Sequence, residues 1–172
     1  MFKPLFMSAL LLLSVSARGH EPEPIAVKPV VAAATLDWLV GDWTGEGITF
    51  GRPSRVTLSL SPIFGGRMMM MDYAVTVAAK DKIPILNFAA HAYYKISKDS
   101  RWDGRWIDNF GNFHNLSGAI KGSALTSIWG SPATEIGRTH YALEGDVLTI
   151  TDKSLTPEGN FDVFATYKLH KK

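Results

Sequence analysis

From Gly41 onward the chain is a succession of short runs in which apolar and polar residues alternate, and every run stops at turn chemistry. Alternation with period two sends successive side chains to opposite faces of a strand. The stops are Gly51-Arg52-Pro53, Phe64-Gly65-Gly66, Lys80-Asp81-Lys82, Lys98-Asp99-Ser100, Phe110-Gly111-Asn112, Lys121-Gly122-Ser123, Gly130-Ser131-Pro132, Glu144-Gly145-Asp146 and Pro157-Glu158-Gly159-Asn160. This pattern predicts an all-β chain with strands at about 42–50, 54–62, 67–78, 85–96, 102–109, 113–120, 124–129, 134–143, 146–153 and 161–170.

Connections this short force each strand to pair antiparallel with the next, which makes a meander. An open meander leaves two unpaired edges, and closure removes both. The expected architecture is therefore a closed antiparallel meander β-barrel of about ten strands, wide enough to keep a cavity. A filled two-sheet sandwich is the competing arrangement. Alternation assigns the inner face: Val56, Leu58 and Leu60; then Met69, Met71, Tyr73, Val75 and Val77; then Phe88, Ala90, Ala92, Tyr94 and Ile96; and in the last strand Phe161, Val163, Ala165, Tyr167 and Leu169. That face is apolar and rich in aromatic residues and methionine, and no helical segment is long enough to cover it.

The first residues follow other rules. Lys3 precedes an apolar run from Leu5 to Val15, and Val15-Ser16-Ala17 supplies small residues for a signal peptidase. Residues 1–17 are expected to be a signal peptide, since the run is shorter than the roughly 20 residues of a spanning helix. Residues 18–32, with Pro22, Pro24 and Pro29, read as an extended linker, and 33–172 as the barrel domain. Ala32–Leu39 suits a short helical turn at the start of that domain. The chain has no cysteine, which excludes a lipoprotein anchor, thiolate metal sites and cysteine nucleophiles. Export without disulfides points to a bacterial periplasmic or secreted protein with no stable membrane anchor after cleavage. Without Lys3, 17 basic side chains face 16 acidic ones and no basic cluster stands out, so nucleic acid is not an expected partner.

Leu39-Val40-Gly41-Asp42-Trp43-Thr44-Gly45-Glu46-Gly47 resembles the opening of lipocalin-like (calycin) domains, where a helical turn leads into Gly-x-Trp. Gly41 and Trp43 match that pair, and the resemblance implies that Trp43 closes one end of a lipocalin- or fatty-acid-binding-protein-like barrel. Trp102-Asp103-Gly104-Arg105-Trp106-Ile107-Asp108-Asn109-Phe110-Gly111, with Gly65-Gly66-Arg67 upstream, looks like a bacterial family of lipocalin-like domains related in architecture to the haem-binding nitrobindins. The resemblance spans roughly 36–170 and implies a fold and a cavity without a defined chemistry. The proximal histidine of nitrobindins has no secure counterpart, because His170 falls on the polar parity; no cofactor is expected.

Candidate chemistry lies on the inner face. Trp102, Trp106 and Asp108 share a parity, and the following strand offers His114 on the face of Leu116 and Ile120. A carboxylate in an apolar cavity must be paired, hydrogen-bonded or protonated. Asp108 and His114 thus form a candidate acid/base or ligand-orienting pair; a structural hydrogen bond, or a His114 at the rim, is the plainer alternative. Tyr73, Tyr94, Tyr141 and Tyr167 bring hydroxyls that suit an aromatic or partly oxidised ligand, although core packing alone accounts for any one of them. Met68–Met71 carries soft sulfur ligands for Cu(I), but alternation sends them to opposite faces, and adaptable lining is the better reading. His20, His91, His140 and His170 have no metal-ligand spacing, so no metal site is expected. The Gly-x-Ser-x-Gly elbow of hydrolases is missing, and Ser127 and Ser131 have no evident base.

The expected function is an exported binding protein for a small hydrophobic or aromatic molecule, with Met71, Tyr73, Tyr94, Trp106 and Tyr141 as walls and Asp108 and His114 orienting the polar end. The alternatives are a cofactor-independent lyase, isomerase or hydratase that uses Asp108 and His114 for proton transfer, and an envelope interaction protein with a filled barrel.

Overall fold

The computed structural model describes residues 36–97 and 100–172. The leader expected over 1–17, the linker over 18–32 and the first part of the expected helical turn lie outside the described residues. What is described of that turn is one hydrogen-bonded loop, Leu39 N and Val40 N both donating to Leu36 O, and no helix follows it among the described residues.

Ten strands follow: β1 (Gly41–Thr49), β2 (Arg52–Ile63), β3 (Met68–Val77), β4 (Leu86–Ile96), β5 (Arg101–Asp108), β6 (Phe113–Lys121), β7 (Ala124–Gly130), β8 (Ile136–Glu144), β9 (Val147–Leu155) and β10 (Phe161–Lys171). Each pairs antiparallel with its sequence neighbour, and β1 closes on β10. The expected meander barrel is what forms. Two of its tight turns, Gly122-Ser123 and Gly145-Asp146, place glycine first with φ of 58° and 62°, the backbone hand that matches strand twist.

The inner face follows the expected parity in β2 and β3. In β10 it does so only from Ala165 onward. A bulge lies between Val163 and Ala165 in the pairing with β9. The extra residue turns Val163 outward, leaving it 54% exposed, and swings Phe164 against the core instead. Val163 therefore does not belong to the inner face, because period two holds only while the ladder is unbroken.

The two halves of the barrel are filled differently. At the end where β1 begins and β10 finishes, Leu36, Leu39, Trp43, Leu60, Met69, Trp102, Leu125, Leu148 and Leu169 form a packed layer. Trp43 Nε1 donates to Leu39 O at 2.8 Å, so the N-terminal turn is latched across this end. Gly118 makes room for Trp102: a Cβ there would stand 2.8 Å from the indole. The opposite end, bounded by the β1–β2, β3–β4, β5–β6, β7–β8 and β9–β10 connections, is open. No helix among the described residues is long and apolar enough to cross a membrane.

Candidate ligand-binding cavity

Inside the open half lies a cavity of about 290 Å3. One wall is an aromatic cluster built by three adjacent strands: Tyr73 on β3, Phe88 on β4 and Trp106 on β5. Phe88 and Trp106 stack at 5.9 Å with 19° between the planes, and Tyr73 leans on Trp106 at 6.0 Å. Phe110, in the β5–β6 turn, extends the wall outward at 5.7 Å from Phe88. The facing wall is Trp129 on β7, edge-on to Phe164 at 6.4 Å and 6.0 Å from the His114 ring. Gly137 permits this, since a Cβ there would lie 1.9 Å from Trp129. At the mouth, Phe50 stacks on Phe164 at 5.3 Å. Phe50 holds a left-handed φ of 51°, rare for a bulky side chain, and its N–H donates to Phe164 O.

The floor is made by Tyr94 and Tyr141. Both hydroxyls donate to Met71 Sδ, at 3.5 and 3.8 Å. Met71 is 0% exposed and belongs to the packed layer beneath, where it seats the two phenols without lining the void. Burial pushes Tyr94 and Tyr141 above the ordinary phenol range.

The polar groups sit on β8, β9 and their neighbours. Asp152 shares the inner parity of Leu148 and Ile150. Burial raises its carboxyl to about 6 against the hydrogen bond from Thr139, which lowers it. Thr139 Oγ1 donates to Asp152 Oδ1 at 2.6 Å and accepts Trp129 Nε1 at 3.2 Å. On the other side, Tyr167 Oη meets Thr49 Oγ1 at 2.7 Å, and Ser54 Oγ donates to that same oxygen at 2.9 Å. The Tyr73 hydroxyl is buried and within reach of the Tyr167 hydroxyl, but outside full hydrogen-bond geometry. Burial, then the Asp152 charge, raises its pKa well above that of an ordinary phenol.

The barrel resembles a known one. It is similar to the crystal structure of Rv2717c from M. tuberculosis, with a TM-score of 0.62 and 14% identity, over 84% of this chain and 99% of that one. At that identity the likeness establishes the barrel fold, and it does not bear on the lipocalin or nitrobindin resemblance. No family model matches the chain, and neither does any curated protein.

Of the residues expected at the site, Tyr73, Tyr94, Trp106, Asp108, His114 and Tyr141 line the cavity, and Met71 supports it from below. Asp108 and His114 are on one face of adjacent strands, but no hydrogen bond joins them. His114 stands opposite Trp106 in the ladder, and Trp106 Nε1 donates to Asp108 Oδ2 at 3.1 Å. The carboxylate also accepts Phe110 N, Asn112 N and Asn112 Nδ2, which ties the β5–β6 turn. Its partial burial would raise its pKa, but the bonds from Asn112, Trp106 and Phe110 outweigh this and hold it below the usual carboxylate value. Sequence reasoning missed Asp152, Thr139, Trp129, Phe164 and Ser127 as cavity residues. For Asp152 the signal was present, since it is two places along from Ile150. For Phe164 there was none, because the bulge hides it.

Proposed function

We propose that this is an exported small-molecule binding protein, periplasmic or secreted, that holds a hydrophobic or aromatic ligand in the open half of its barrel. The observation that carries this reading is the uneven filling: one half is occupied by a buried apolar layer, and the other keeps a void of about 290 Å3 walled by aromatic rings. Binding pockets are concave, mostly apolar and largely pre-formed, with a few polar groups that orient the ligand. The void is at the small end of that range, which suits a molecule of one or two rings. Proton transfer by Asp108 and His114 has less support, because both Asp108 oxygens are committed to the turn and to Trp106.

Titration with the neutral probe N-phenyl-1-naphthylamine tests the cavity reading. Saturable quenching of Trp106 and Trp129 is expected in the wild type. Ser127 is buried and lines the void, so Ser127→Phe should fill the space and weaken binding at least tenfold while leaving the far-ultraviolet spectrum intact. A wild type that never saturates refutes the proposal. Export is tested by expressing the full chain in a bacterium and sequencing the mature N-terminus, which should start at Arg18.

A further inference from the structure

The cavity has a sign. Its lining includes three carboxylates, Asp108, Glu135 and Asp152, and neither lysine nor arginine; His114 is its one basic ring. The chain as a whole carries a formal net charge of +2, so this local excess is not a reflection of composition. Asp152 is the deepest of the three, at 9% exposed. Thr139 satisfies Oδ1, while Oδ2 receives no hydrogen bond from the protein, and no cation pairs with Asp152 among the described residues.

A buried carboxylate without a counter-charge is costly. The Tyr73 hydroxyl is likewise buried, with only the Tyr167 hydroxyl in reach and that outside full hydrogen-bond geometry. An anionic ligand would meet repulsion from three carboxylates. A neutral one would leave the Asp152 charge unpaired. A ligand with N–H donors and a positive charge answers both open groups, and the faces of Trp106, Phe88 and Trp129 attract cations as well as apolar bodies.

We propose that the cavity takes an organic cation: a primary or secondary amine on an aromatic or similarly apolar body, with its ammonium at Asp152 and its body against Trp106, Phe88 and Trp129. This rests on the cavity being a binding site, as inferred above, and adds the chemical class.

The test is calorimetric titration of the full chain at pH 7.5 with 2-(1-naphthyl)ethylamine and its neutral isostere 2-(1-naphthyl)ethanol. The amine should bind at least tenfold more tightly. Asp152→Asn should bring the two within threefold while keeping alcohol binding. Equal affinity in the wild type overturns the cationic class and leaves the cavity reading standing. A preference that survives Asp152→Asn overturns the role given to Asp152. Failure of both compounds to bind overturns the class and the cavity reading together. Should Asp152→Asn not fold, the wild-type comparison of amine and alcohol decides alone.

Discussion

Thr139 and Asp152 face each other across the β8–β9 ladder, and the threonine hydroxyl donates to the carboxylate at 2.6 Å. The same oxygen accepts the Trp129 indole, so one small side chain orients an acid and an aromatic wall together. Thr139→Val removes the one hydrogen bond Asp152 has. Its pKa should rise further above about 6, as read by carboxyl-carbon resonance titration. Stability at pH 7.5 should fall by about 1.5–3 kcal/mol, the usual scale for a bond to a charged group. The loss should shrink at pH 5, where the acid is protonated.

Asp152 itself burdens the unliganded fold. Its folded pKa, about 6, stands above the unfolded value of 3.8. Between those values the folded chain holds a proton that the unfolded chain has released. Its contribution is therefore fully present below pH 3.8 and is lost as pH rises through 6. Asp152→Asn should be the more stable protein at pH 7.5, by a margin approaching about 3 kcal/mol. Urea midpoints of the two proteins should converge as pH falls to 4.

Asp108 behaves in the opposite sense. Its folded pKa is depressed, so its contribution is present above the unfolded value of 3.8 and is lost as pH falls through the folded value. Asp108→Ala should cost about 1–2 kcal/mol at pH 7, modest because the group is partly solvated. The difference from wild type should fade at acid pH. Proteolysis should also find the 109–112 turn more readily, since its N–H donors lose their acceptor.

Gly137 sets the position of Trp129 by close approach, because the indole occupies the space a side chain would need. Gly137→Val should displace the ring, cost about 1–3 kcal/mol by overpacking, and weaken N-phenyl-1-naphthylamine binding more than tenfold. Near-ultraviolet circular dichroism should report the loss of the ordered indole, with strand content unchanged.

The barrel was legible in the residues because local signals agree along its length. Tyr73, Tyr94, Trp106, Asp108, His114 and Tyr141 were found by parity, and all line the void. Phe164 was hidden because a bulge breaks the count that parity relies on. Asp152 is harder to read from the sequence because its partner Thr139 is distant along the chain and is defined only by the β8–β9 register, whereas Asp108 and His114 are close in sequence. Which half of the barrel stays empty is not given by strand parity; only the resemblance at Gly41-x-Trp43, which implies that Trp43 closes one end, points to it. The filling depends on how Leu36, Trp43, Met69 and Trp102 meet across the interior, and no single strand encodes it.

Among the described residues, the latch of Trp43 onto Leu39 and the buried layer around it stop one end of the barrel. On the binding reading proposed above, a guest leaves by the mouth it entered, and a void of about 290 Å3 should admit one competitor at a time. The stacked Phe50 and Phe164 border that mouth. Narrowing or widening it there should slow or speed entry and escape by equal factors, so that the time a guest is held can change while the strength of holding does not.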